Sequence, residues 1–513
     1  MKKLICCLAF IIFFTSQAWG ADCGGETPCA CGDTVTSDYT LSGNLACTGT
    51  HGLVIGADNI DINLGGYTIS SDETADKHGI YSEDRDNLTV TNGTIRDFDY
   101  GVVVTRADTV DLSSLTVTSN LTTGIRLNDC LTGSGSSLTV TGNGAIGVQI
   151  SDGDGITFSD STSDSNGTDN WFVHGSGVGT NGDGENTSFT DCIGSNGGTG
   201  DGFSIHENSG ANHVFTRCTS HSNAARGFDL VDGSNVTLTN CETYDNTEYG
   251  IVAALSVSTV TANYWYSHGT EGALLGQAPN ITVKYSKFDC TKTTGNLIST
   301  SGAATGLKLY NNTIIAQGQV DDIWRNTAAG DISAEAKNNI FAAYHASAAN
   351  LYDGVTNPES EANNITFYNN LWYHPSGSAT ALFNIRDDAV KTFTQWAAYT
   401  IVTDTLFADP LLVASSSDDF RLQAGSPCRD AGDYNVYVDI TAVTDYAGNR
   451  IRGTNVDIGA YEYQGGGARG GHGMGMGTGI GARGIASLLV PTTDLTFDGT
   501  NALTFDGINA LTF

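Results

Sequence analysis

The chain has 513 residues, 56 of them acidic against 23 basic, for a formal charge of −33. Such a surface repels phosphate backbones, which excludes nucleic acid as a partner; it also repels a uronate polymer unless basic residues or bound calcium reverse the sign locally. Sixty-four glycines, only seven prolines and short runs of Thr, Ser, Val and Ile describe many strands joined by many turns.

Lys2 and Lys3, the apolar run Leu4 to Phe14 and the small-residue exit at Ala18-Trp19-Gly20 read as a secretory signal over residues 1–20. The mature chain is therefore expected to be secreted, periplasmic or held at the cell surface. No later stretch approaches the ~20 apolar residues of a transmembrane helix. Cys23, Cys29, Cys31 and Cys47 crowd residues 21–50, where one or two disulfides would staple an N-terminal cap. Spacing leaves their pairing open, and no histidine or second Cys pair lies at zinc-ligand spacing nearby.

From 51 to 400 a period takes over. Glycine opens an alternating strand at Gly79, Gly101, Gly124 and Gly147, gives way to Asn170, and returns at Gly202, Gly227, Gly250, Gly272, Gly295 and Gly318. The spacing is 22 to 25 residues except for 32 between Asn170 and Gly202. Leu115, Leu138, Cys218 and Cys241 fall nine residues before their glycines, and Cys192 ten before, which places leucine and thiol in one interior column. Coils of this length with three short strands fit an all-β right-handed parallel β-helix and not leucine-rich, propeller or hexapeptide repeats. These segments resemble the β-helix superfamily that includes periplasmic copper-pathway solenoids, pectate lyases and alginate epimerases. The resemblance implies a polysaccharide partner.

Residues 401–463 hold Phe407-Ala408-Asp409-Pro410, Asp419-Phe420-Arg421-Leu422, Gly425-Ser426-Pro427, Asp430-Ala431-Gly432, Asp445 to Arg450 and Val456 to Glu462. In that order they resemble the terminal segment of choice-of-anchor bacterial surface proteins; a solenoid must close its exposed last coil, and Asp and Arg paired on turns serve that end. Residues 464–487 read as a Gly-rich linker. The tail 488–513 repeats Leu-Thr-Phe every eight residues, as small β-arches or hairpins that would dock on an envelope component or on copies of themselves.

Alternation points the first and third residues after each glycine inward and the second and fourth outward. His174 and His206 are then expected on adjacent rungs about 5 Å apart, with Asp229 one rung on and Arg126 two rungs the other way. Asp201-Gly202-Phe203-Ser204-Ile205-His206-Glu207 resembles the catalytic strand of mannuronan C5-epimerases, with Ser204 and Ile205 standing for its aspartate and proline. The resemblance implies His206 or His174 as the base on a sugar C5 proton, with Arg126 or calcium neutralising the carboxylate. The outcome is lyase or epimerase chemistry ahead of hydrolysis, for which Asp229 with Glu207 or Asp232 would be the carboxylate pair. Tyr249, Tyr264, Trp265 and Tyr266 are candidates for stacking on sugar faces, with Trp265 equally a candidate for the core. The rival readings are a non-catalytic surface or adhesion protein attached by its tail and, opposed by the signal peptide, a trimeric phage-like fibre.

Overall fold

The computed structural model describes residues 20–175, 184–206, 208–254, 257, 259–291, 294–301, 306–326, 333–345, 350–354, 364–385, 389–434, 444–451 and 455–464, with three short strands beyond. The signal segment up to residue 19, Glu207 and most of the linker and tail lie outside them.

The body is an all-β right-handed parallel β-helix of about twelve turns. Each coil lays three short strands on the coil before it. Ile125–Asn128, Thr132–Ser136 and Thr139–Thr141 pair in parallel with Val148–Ser151, Ile156–Ser159 and Thr162–Asp164 of the next coil. The first strand of each coil belongs to a single 17-stranded sheet. Among the described residues, no helix is long and apolar enough to cross a membrane.

The glycine column exists because the rungs are too close for a side chain there. A Cβ on Gly101 would lie 2.6 Å from the Gly124 carbonyl oxygen, and one on Gly227 would lie 2.5 Å from that of Gly250. Asn170 fits the column because its amide joins a buried ladder. Asn120, Asn143, Asn166, Asn170, Asn223 and Asn246 each donate to the next, and Asn246 ends on Glu271. After Gly250 the column departs from the expected glycines. Ile251 pairs with Leu274 and Leu274 with Ile298, so the column passes to Ala273 and Leu297, while Gly272, Gly295 and Gly318 fall outside it.

Inside the coil, Cys192, Cys218 and Cys241 are fully buried in the interior column. Beside them Trp171, Phe203 and Phe228 stack face to face, the last pair with centroids 4.9 Å apart, so the strands that carry the outward residues rest on a rigid aromatic floor.

The two ends are closed by different means. Disulfides Cys23–Cys29 and Cys31–Cys47 staple the first coil. The second spans 16 residues of sequence. Replacing Cys31 and Cys47 by Ser is therefore expected to remove about 3 kcal/mol, seen as faster amide exchange confined to the first coils, since a solenoid opens locally. At the other end the one-turn helix Phe393–Trp396, begun by a Thr392 capping box, drives Trp396 against Tyr352, Phe367 and Phe383 and plugs the bore.

The segment expected to close the last coil does so only at its start, where Val402–Thr403 and Leu406–Phe407 extend the stack. It then runs back along the outside of the solenoid. Ile315, Ile340 and Leu371 point outward from their strands and need cover, and Leu412, Phe420, Leu422, Ile458 and Tyr461 form a second apolar core over them. Polar ties fix it there, from Asn311 to the Asp457 carbonyl and from the Ala460 amide to Thr313. Residues Gly470–Phe513 are a separate unit. In it Thr496–Asp498, Ala502–Thr504 and Ala510–Thr512 pair antiparallel.

Candidate active site

The outward positions of the 17-stranded sheet form two columns. In the first, Arg126, Gln149, Phe172, Ser204, Asp229 and Val252 stand in register. In the second, Asn128, Ser151 and His174 do. His206 follows just after Phe203–Ile205, its N–H donating to the Val173 carbonyl at 2.9 Å.

The two histidines share a neighbourhood but do not act as a pair. The Phe172 ring packs against both, 5.0 Å from His174 and 5.4 Å from His206. His174 Nε2 meets Ser151 Oγ at 2.7 Å and Gln149 Nε2 at 3.0 Å, and burial lowers its pKa. His206 turns the other way and places Nε2 3.0 Å from Asp229 Oδ2.

Asp229 was expected on an exposed face, yet only 1% of its side chain is exposed, because His206 and Arg226 lie over it. Arg226 Nη1 donates to the same oxygen at 2.6 Å, and Nε donates to Glu248 at 2.8 Å. Asp201 Oδ1 accepts the Arg226 backbone N–H, and Asp169 accepts that of Asp201. Burial disfavours charge on His206, but the hydrogen bond and charge of Asp229, helped by Asp169 and Asp201, outweigh it and hold its pKa above the ordinary value. Burial first, then the charges of Asp229 and Asp169, push Asp201 up to about 7. With Nε2 bonded to a carboxylate, the proton of neutral His206 sits on Nε2. Nδ1 is then the basic atom, and it makes no hydrogen bond among the described residues. The His206 side chain is 32% exposed, so the cluster opens to solvent through this ring and Arg226.

Arg226, Asp201 and Asp169 were not foreseen. All three occupy the position just before the glycine column, in the turn, where strand alternation assigns no direction. Arg126, the guanidinium proposed to serve the same sugar as His206, lies three rungs from it, about 14 Å in an ideal stack, so it cannot. Asp232 also falls away as a hydrolytic partner, since its oxygens accept the backbone N–H groups of Asn208 and Gly233. Glu207 lies outside the described residues.

The four aromatic residues form no sugar-stacking face. Trp265 is fully buried, one residue before Tyr266, whose partner in register is Glu242, so it continues the interior column of Cys241. The register slip after Gly250 concealed this. Tyr266 is buried under Lys287, whose ammonium lies 3.5 Å from its ring centre. Tyr264 stacks on Tyr285 and donates to the Thr444 carbonyl. Tyr249, on the 17-stranded sheet, is half-buried.

Asp201, His206 and Asp229 offer donor atoms within 4.8 Å of one another, and Asp229 Oδ1 is buried without a hydrogen-bond partner. A cation there would share Asp229 with the Arg226 guanidinium, and an imidazole donor does not suit calcium. Nearby on the solenoid, Asp154 accepts from Asn186, and Asp164 from Ser195 and Asn196.

The chain belongs to the right-handed β-helix family. The family model "Right handed beta helix region" matches residues 31–193 and 176–343, more than half of the chain. No curated protein matches it. Among solved structures it is similar to ORF18 of Geobacillus virus E2, at 13% identity over 58% of this chain and 54% of that one, with a TM-score of 0.35. The chain thus spans about half the length of that viral protein. It is also similar to pectate lyase Pel9A, at 13% identity over 85% and 89% of the two chains with a TM-score of 0.34. A further likeness is to the A-module of mannuronan C-5 epimerase AlgE6 of Azotobacter vinelandii, at 12% identity over 74% and 91%, with a TM-score of 0.32. At these identities the likeness is one of architecture, not of activity.

Proposed function

We propose that this β-helix processes an acidic polysaccharide on the outer face of its 17-stranded sheet, with His206 as the proton-transferring residue. The observation that carries the reading is the half-exposed His206 ring held at 3.0 Å by a buried Asp229 that Arg226 also grips. Asp229 orients the ring and favours the imidazolium that forms when Nδ1 takes a C5 proton from a uronate. Arg226 Nη2, which makes no hydrogen bond among the described residues, is placed to face the carboxylate as negative charge builds on it. Departure of the C4 oxygen, which takes up a proton from water, leaves a C4–C5 double bond and gives a lyase; protonation of C5 by water on the opposite face gives an epimerase.

The test is a panel of uronate-containing polysaccharides, followed by unsaturated-uronate absorbance and by C5 deuterium incorporation. His206→Ala is expected to lower turnover about 10²- to 10⁴-fold. Equal turnover in the variant defeats the assignment.

Two disulfides favour an oxidising compartment, with residues 1–20 as the export signal and 464–487 as a linker. The separate unit Gly470–Phe513 favours a second property, attachment at the cell surface, with residues 407–462 acting as an anchor-type segment. Deleting Leu488 to Phe513 is expected to abolish cell association and leave the melting temperature of the β-helix unchanged. Unaltered cell association removes this reading.

A further inference from the structure

We propose that the outward face between Arg126 and His206 is a binding strip for a polyuronate of at least four sugars, with Arg126 holding the carboxylate of the distal one. This rests on the reading that polysaccharide lies along this sheet, and it adds the length, sign and direction of the ligand.

The strip is defined by what the columns carry. Over four rungs the outward positions are Arg126 and Asn128, Gln149 and Ser151, Phe172 and His174, and Ser204 and His206. None of these eight is a carboxylate, in a chain of net charge −33. Asp129 and Asp152 lie just past the strand ends and are buried at the corner. The strip is therefore a break in an acidic surface, with one fixed cation at its far end and a titratable one at the other.

Arg126 is an arginine without an acid. Arg106 is clasped by Glu83 and Asp84, Arg217 by Asp191, Arg226 by Asp229 and Glu248, and Arg421 by Asp419. Arg126 enters no ion pair among the described residues; its Nε is buried with no hydrogen-bond partner, and its guanidinium stands 6.0 Å from the Tyr100 ring centre. A guanidinium fork of this kind matches a carboxylate at two points.

The direction follows from the other side of the site. Past Asp229 the outward column runs through Val252, Leu275 and Ser299 to Arg325, whose Nε already lies 3.6 Å from Asp353. Along this column, among the described residues, the cation without an acid lies toward the N-terminal coils, so the chain extends that way from His206. Each rung advances about 4.8 Å, close to the length of one pyranose, so three rungs separate the first sugar from the fourth. Between them Phe172 offers an apolar ring, and Gln149 an amide, to the intervening sugars.

The test measures binding of galacturonate and mannuronate oligomers of two, four and six residues by titration calorimetry. His206→Ala and the double variant His206→Ala/Arg126→Gln are compared, so that turnover does not intervene. Turnover of the polymers is measured separately in wild type and Arg126→Gln. Tetramer and hexamer are expected to bind His206→Ala about tenfold or more tightly than the dimer, and Arg126→Gln is expected to erase that difference while leaving the dimer unchanged. Equal hexamer affinity with and without Arg126, in variants with the same circular dichroism, overturns the strip. If that occurs while wild type turns over polymer in a His206-dependent way, the strip falls and the catalytic reading stands. Arg126-dependent binding without any turnover leaves the strip and removes the catalysis. Absence of binding by every oligomer removes the strip.

Discussion

Raising the pH from 5 to 8 is expected to lower the stability of this β-helix by on the order of 3 kcal/mol through Glu271 alone. Glu271 is fully buried at the end of the asparagine ladder, where Thr243, Asn246 and Ser267 donate to it at 2.5 to 2.7 Å. Burial overrides those hydrogen bonds and pushes its pKa from 4.5 to about 7. Between those values the folded chain keeps a proton that the unfolded chain releases. The stabilisation is thus complete below the unfolded pKa and declines as pH rises, at about 1.4 kcal/mol per unit. Burial also raises Asp201 to about 7, Asp289 to about 8 and Asp322 to about 6, and all three act in the same direction. So does His206, whose raised pKa gives stability that is full below its unfolded value and lost as pH passes the folded one. On the acid side, Glu83, Asp84 and Asp419, held low by hydrogen bonds that include those from Arg106 and Arg421, lose their contribution as they protonate. Urea denaturation across pH 4 to 8 checks the slope, and Glu271→Gln should flatten it. A stability that is level or rising from pH 5 to 8 contradicts the assignment.

Asp229→Ala is expected to cost about 3 to 5 kcal/mol, the penalty for leaving charge without its buried partner. Two cations, Arg226 and protonated His206, converge on one oxygen of a carboxylate that is 1% exposed. Glu248, the other partner of Arg226, has a side chain 48% exposed and offers a weaker counter-charge. Asp229→Asn keeps a hydrogen-bond acceptor and should lose less. Denaturation at pH 6, where His206 is largely protonated, resolves the two variants. A loss under 1 kcal/mol for Asp229→Ala would show that the cluster is not an ion-pair network.

The period was legible because the column before each outward strand is glycine from Gly79 to Gly250, except at Asn170, which enters the ladder; a Cβ at those glycines would crowd the next rung. Inward residues such as Phe203, Ile205, Phe228 and Leu230 followed from alternation alone. Beyond Gly250 the column residue becomes Ala273 and then Leu297, and counting from glycines lost the register. That is why Trp265 stayed open between a sugar face and the core, although its column makes it core. The site was legible in part for a related reason. Alternation assigns direction but not cover, so Asp229 could be placed outward and could not be seen to lie beneath Arg226. The guanidinium beside His206 comes from the turn preceding Gly227, not from a strand, and strand logic selected Arg126 instead. The flank core over Ile315, Ile340 and Leu371 has no periodic signature either, because it joins residues more than 70 positions apart, such as Ile340 and Leu412.

The role of His206 is decided by the pH dependence of kcat/KM on a uronate polymer, compared between wild type and Asp229→Asn. A base held protonated by Asp229 predicts activity that rises with pH through one ionisation lying above that of an ordinary histidine, and that shifts to lower pH when the carboxylate becomes an amide. A profile that Asp229→Asn leaves in place, or the absence of turnover on every uronate polymer, would contradict it.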